Sequence, residues 1–215
     1  NSADTATMTL DATRSSEKVV FITSDSTFTN GIIVQAHGGV HLSQSVTTGT
    51  TPSFMSAGQS ATFTIEWAKT LTTTNTALVI TAKDINLDTN SGITTGTAGM
   101  TIHGATASQT IGLGSQSRTM QITNTEIGLI TTTGLTIGSS ISGSITVAGL
   151  PASATNALAG IVSLVATKDT ATVAFNTGSS TFHALAVQAD NGISAQASVS
   201  TTAGPLLMDG DYGND

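Results

Sequence analysis

The chain has 215 residues and no Cys, is 38% hydrophobic, 4% aromatic and only 9% charged, and carries a formal net charge of −7 with mean hydropathy +0.20. Its 42 Thr, 25 Ser and 22 Gly crowd out the Glu, Lys, Leu and Arg on which helices rely, so helix is not the main element. Steady Ile, Val and Leu give it apolar surface to bury, which excludes a disordered chain, and scattered acids with no basic run exclude nucleic-acid binding.

The elements in chain order are short and alternate with period 2. They run from Ala6-Thr7-Met8-Thr9-Leu10 through Val19-Val20-Phe21, Ser26-Thr27-Phe28, Thr62-Phe63-Thr64-Ile65 and Leu78-Val79-Ile80-Thr81. Met100-Thr101-Ile102-His103, Met120-Gln121-Ile122-Thr123, Leu135-Thr136-Ile137 and Ser144-Ile145-Thr146-Val147 continue the pattern to Leu206-Leu207-Met208-Asp209. Such alternation puts apolar side chains on one face of a strand and hydroxyls on the other. Gly, Asn and Ser turns such as Asn90-Ser91-Gly92 and Gly138-Ser139-Ser140 separate them. The apolar positions Val34, Ile65, Ile80, Ile102, Ile122, Ile137, Leu164, Val187 and Leu207 are spaced about 22 residues apart on average. That spacing suits coils of a β-solenoid, each stacked on the next. A β-sandwich is the alternative, although it would place strands every 8–12 residues.

Residues 10–48 match 164–201: Leu10-Asp11-Ala12-Thr13-Arg14 with Leu164-Val165-Ala166-Thr167-Lys168, Val19-Val20-Phe21 with Val173-Ala174-Phe175, and Val34-Gln35-Ala36 with Val187-Gln188-Ala189. The offset of about 154 residues describes a super-repeat that starts again within one elongated unit, 1–215. Neither end carries a polar cap, so the ends are expected to stack on neighbours or on adjacent repeats of a longer chain. Thr7, Met8, Thr9 and Leu10 at one end, and Leu206, Leu207 and Met208 at the other, are the expected self-assembly residues.

These blocks, with Ile130-Thr131-Thr132-Thr133-Gly134-Leu135-Thr136-Ile137-Gly138 and Ser142-Gly143-Ser144-Ile145-Thr146-Val147, resemble the large repetitive β-helical surface proteins of the filamentous-haemagglutinin-like type. The resemblance implies an all-β, right-handed parallel β-helix at the cell surface or outside the cell, serving a fibre, filament or adhesive coat, with no catalytic residues. The secretion-domain signature of those proteins is missing from the sequence.

Candidate chemistry is sparse. Asp84, Asn86, Asp88 and Asn90 alternate onto one strand face, the way acids of β-helical polysaccharide lyases hold Ca²⁺, and Asp209 and Asp211 lie in an acidic turn with oxygen donors spaced loosely like a Ca²⁺ loop. A solvated outer face and an ordinary acidic turn explain both more simply. His37 and His41 share a strand face roughly 13 Å apart, too far for one metal. Trp67 and Phe63 together could make a platform for surface glycans. Thr-x-Thr pairs such as Thr5-Ala6-Thr7 and Thr62-Phe63-Thr64 raise ice binding, but their irregular intervals do not make a flat lattice. No apolar run is long enough to span a membrane and no Gly-x-Ser-x-Gly elbow occurs. The sequence therefore reads as a non-enzymatic structural solenoid with no required cofactor, partnered by copies of itself or adjacent repeats.

Overall fold

A computed structural model describes residues 7–213. Short strands bounded by Gly, Asn and Ser cannot bury an apolar face alone, and here they wind into successive turns that bury it together. Turn one holds β1 (Met8–Ala12), β2 (Val19–Phe21) and β3 (Ser26–Phe28); turn two β4 (Ile32–Ala36), β5 (Val40–Leu42) and β6 (Val46–Thr48). Turn three holds β7 (Ser53–Ser56), β8 (Thr62–Ile65) and β9 (Thr70–Thr73); turn four β10 (Leu78–Ala82), β11 (Asp84–Leu87) and β12 (Gly92–Thr94). Turn five is longer: β13 (Met100–Gly104), β14 (Ile111–Gly114), β15 (Met120–Ile122), helix α1 (Asn124–Gly128) and β16 (Ile130–Thr131). Turn six has β17 (Leu135–Ser139), β18 (Ile145–Ala148) and helix α2 (Ala152–Thr155). Turns seven and eight hold β19 (Ile161–Ala166), β20 (Val173–Phe175), β21 (Ser180–Phe182), β22 (Ala184–Ala189), β23 (Ile193–Ala195) and β24 (Val199–Thr201), and β25 (Leu206–Asp209) opens the ninth.

The strands stack into long sheets, the longest in the order β1-β4-β7-β10-β13-β17-β19-β22-β25. All strand pairs among the described residues are parallel, so the fold is an all-β solenoid of about nine turns and the β-sandwich alternative falls away. The inward column of the long sheet is Leu10, Val34, Met55, Ile80, Ile102, Ile137, Leu164, Val187 and Met208. This corrects the sequence reading at three points. Ile65 and Ile122 belong to β8 and β15 on another side, Met55 is the column residue of turn three, and Leu207 faces outward where Met208 faces in. The column spacings are therefore 24, 21, 25, 22, 35, 27, 23 and 21 residues, with the longest at the elaborated turn five.

The residues of the two matching blocks fold as the same series of strands, β1 to β6 and β19 to β24, six turns apart. Interior positions are filled by Ile, Leu, Val, Met and Phe, with Phe63, Phe175 and Phe182 fully buried. Phe28 is only partly buried at the first turn and packs edge-on against Phe21, with ring centroids 6.3 Å apart. Threonine also goes inside: Thr48, Thr73, Thr95 and Thr132 are buried where the third side of the coil bends back to the long sheet. At that bend Thr73 Oγ1 donates to Thr76 O at 2.6 Å and Thr95 Oγ1 to Ala98 O at 2.7 Å, so the hydroxyl replaces water at the corner carbonyl. Hydroxyls thus also lie on the inner side, which corrects the expectation that alternation places them on the face opposite the apolar side chains.

Candidate functional site

The ends of the coil and a seam between turns four and five depart from regular stacking.

At each end a strand is hydrogen-bonded on one edge only among the described residues. β25 pairs with β22 in the register Leu206↔Leu185 and Met208↔Val187, which aims Leu206 and Met208 inward as core residues. Leu185 and Val187 are buried, whereas Leu206 is 43% and Met208 42% exposed; outward Leu207 is 56% exposed. β1 pairs with β4 through Met8↔Ile32 and Leu10↔Val34, which aims Met8 and Leu10 inward and Thr9 outward. Met8 is 51% exposed, Leu10 half-buried, and Thr7 and Thr9 exposed. The expected self-assembly residues therefore lie on the two edge strands of one long sheet, at its opposite ends. Ala6 and Thr5, read with them in the sequence, lie outside the described residues, as do Asn214 and Asp215.

The seam arises because the second side of the coil is built of two sheets, β11-β8-β5-β2 and β15-β14-β18-β20-β23, that abut where β11 meets β15. β14 and β15 pair in parallel through a five-residue crossover, and β15 lies nearer β11 although it follows β14 in the chain. Carboxylates bridge the break. Asp84 Oδ1 accepts from Gln121 N at 2.9 Å and from Ile85 N at 3.0 Å. Glu126 Oε1 accepts from Leu87 N at 3.2 Å, while Oε2 accepts from Thr123 N and Thr123 Oγ1, both at 2.9 Å. Thr123 Oγ1 in turn accepts from Glu126 N, completing a capping box that starts α1. Burial pushes the carboxyls of both Asp84 and Glu126 above their ordinary range; the accepted N–H bonds offset this in part, and for Glu126 the Asp84 charge adds to the rise.

Asp84 is thus drawn into the backbone network, and Asp88 Oδ1 accepts from Asn86 Nδ2 at 3.0 Å on the same outer face. Asp209 and Asp211 sit five turns away at the end of the coil, where Asp211 N donates to Asp209 Oδ1 at 3.3 Å. Among the described residues no three His, Asp or Glu side chains converge on a common point, and Asp209 and Asp211 lie apart from Asp84 and Asp88. His37 Nδ1 accepts from Ser16 N, and His41 Nε2 lies 2.7 Å from Glu66 Oε1, a contact that leads the lowering of the Glu66 carboxyl below its ordinary value. Trp67 is exposed but Phe63 is fully buried, so the two do not form a platform. No described helix is long and apolar enough to cross a membrane.

Sequence reasoning passed over Glu126 and the inner threonines. Glu126 was signalled by Thr123-Asn124-Thr125-Glu126, the spacing of a capping box. The inner threonines carry no such signal, because Thr alternates with Ile on both faces. No family model, no curated protein and no solved structure matches this chain.

Proposed function

We propose that this solenoid is a non-catalytic structural unit of an extracellular or cell-surface fibre, filament or adhesive coat, of the filamentous-haemagglutinin-like kind. It extends by end-to-end continuation of its parallel ladders, and its partners are copies of itself or adjacent repeats of a longer chain. The observation that carries this reading is the exposure of Leu206 and Met208, core residues by register, on a strand with one open edge. An open edge with inward-facing apolar side chains is a template for another strand. The outward column of the long sheet, Thr9, Ile33, Phe54, Val79, Thr101, Thr136, Ser163, Ala186 and Leu207, does not offer a rank of hydroxyls, since Ile33, Phe54, Val79 and Leu207 interrupt it. Electron microscopy of the purified chain at high concentration tests the proposal: rods one coil wide support it, and monodisperse single particles at every concentration defeat it.

A further inference from the structure

The outward face of the long sheet carries a ridge and a notch a few turns apart. Phe54 in turn three is 46% exposed and is flanked in its column by Ile33 and Val79 of the adjoining turns, both half-buried. Beyond this ridge, across turns five and six, lies a notch of about 470 Å³. Thr101 and Thr136 form its floor, Val79 one wall, and Ile161, 42% exposed, the other. The notch is two turns wide, about 10 Å.

It exists because two successive turns place glycine in one outward row, where the register sets Ala77, Gly99, Gly134 and Ile161 side by side. The backbone demands neither glycine. Neither has a left-handed φ, and an added Cβ would meet nothing nearer than Gly134 O at 3.4 Å or Ile161 O at 3.7 Å. Glycine at a strand carries an entropic cost and packs against nothing, so without a conformational reason it marks a place of close approach. The same face is electrically quiet. Among the described residues, the outward positions of β4, β7, β10, β13, β17, β19 and β22 hold no Asp, Glu, Lys or Arg, and Asp11 and Asp209 are confined to the end strands β1 and β25. Copies of a chain of net charge −7 repel through their other sides and can meet here without opposing like charges.

We infer that this face pairs two copies of the chain side by side with their coils antiparallel, the Phe54 ridge of each seated in the notch that Gly99 and Gly134 leave in the other. A two-fold axis lying between the faces and running along β10, in turn four, carries turn three of one copy over turns five and six of its partner. One ridge-in-notch contact therefore generates its mate. An overlap of about seven turns covers on the order of 500 Å² of each copy, short of the roughly 800 Å² of a standard interface, so the pair is weak and forms with rising concentration. Both coil ends stay free. The pairing does not depend on end-to-end continuation, and stacked rods repeat it along their length.

Sedimentation velocity of the chain carrying Leu206→Asp and Met208→Asp, which blocks the ends, tests the pairing apart from stacking. At high concentration a species of twice the 21.5 kDa chain mass is expected. On that background Phe54→Ser and, separately, Gly134→Leu should each weaken the pair about tenfold or more. Melting temperatures should hold, since Phe54 is exposed and Ile161 shows that the row of Gly134 takes a large side chain. Mixed together, the two variants should pair again, because the Phe54 of one still meets the open notch of the other. The native chain has no Cys, so Val79→Cys, next to the axis, should cross-link to itself with diamide as oxidant, and Ala186→Cys should not. A monomer at every concentration, a dimer indifferent to Phe54→Ser, a mixture that fails to recover, or equal cross-linking at both cysteines overturns the pairing. End-to-end stacking is then judged separately by microscopy of the native chain.

Discussion

Asp84 and Glu126 each accept a backbone N–H from the strand to which the other is tied: Gln121 N, in β15 just before the Glu126 helix, donates to Asp84, and Leu87 N, in the Asp84 strand, donates to Glu126. The two carboxylates thus stand in for the ladder bonds that the abutting sheets do not make. Their burial has a pH consequence. A carboxyl whose folded pKa lies above its unfolded value holds its proton more readily in the folded chain, so its contribution to stability is present at low pH and is lost as pH rises through the folded value. The window opens at the ordinary values, 3.8 for Asp84 and 4.5 for Glu126, and extends upward. The stability difference between the native chain and Glu126→Gln should therefore shrink as pH rises from 4 to 7, measured by denaturant unfolding at each pH. A difference that grows over that range would show that the seam favours the charged form.

A second prediction concerns Thr95 and Thr132 on adjacent turns. Thr95 Oγ1, which donates to Ala98 O, lies 2.8 Å from Thr132 Oγ1, and Thr132 Oγ1 also lies 3.0 Å from Ala98 O. Valine keeps the shape of threonine and removes only the hydroxyl. Thr95→Val and Thr132→Val should each cost about 1–2 kcal/mol, and the double variant less than their sum by about 0.5 kcal/mol or more. Strictly additive unfolding energies would mean that the two hydroxyls act independently.

The crossover between β14 and β15 depends on Gly112, where an added Cβ would come within 1.9 Å of Gln116 O. That neighbour is backbone and cannot swing aside. Gly112→Ala should destabilise the fold by about 3 kcal/mol or more. Gly192 is the contrast: its φ is +103° but nothing lies within 4 Å of the added methyl, so Gly192→Ala should cost only the backbone strain, about 1–2 kcal/mol. Equal melting temperatures for the two variants would contradict the steric role of Gly112.

At the open end, Leu206→Asp with Met208→Asp puts charge on inward positions that a further turn would bury. Rods seen by microscopy for the native chain should be lost, while the melting temperature stays within a few degrees because both residues are already exposed. Rods that persist would place the contact elsewhere.

Much of this architecture was legible in the residues. Ile-Thr alternation gives half-buried strands, and the match of Leu10 to Leu164 lies between two strands of one sheet, six turns apart. The column itself was misread at Ile65 and Ile122, because all three sides of the coil use the same alternation and spacing alone does not say which side a strand lies on. Met55 was passed over since Phe54, its larger neighbour, faces outward. The edge residues Met8 and Met208 could be named from position, but the packing of α2 on β21, the strand of Phe182, could not. It depends on which corner stacks above it, and α2 is a single turn that starts at Pro151 with no side-chain cap to mark it.

The reversed order of β14 and β15 bears on how the chain reaches this state. Turns one to four can be laid down one after another as the polypeptide lengthens, each strand finding its partner already in place. At turn five that sequence stops, because β14 pairs only with β15 and β18, both of which lie further along the chain. β13 still finds β10 in place, but the span from β14 through α1 has to settle as one cooperative block before β18 has a surface to land on. Turn five is therefore the expected kinetic checkpoint of an otherwise processive assembly.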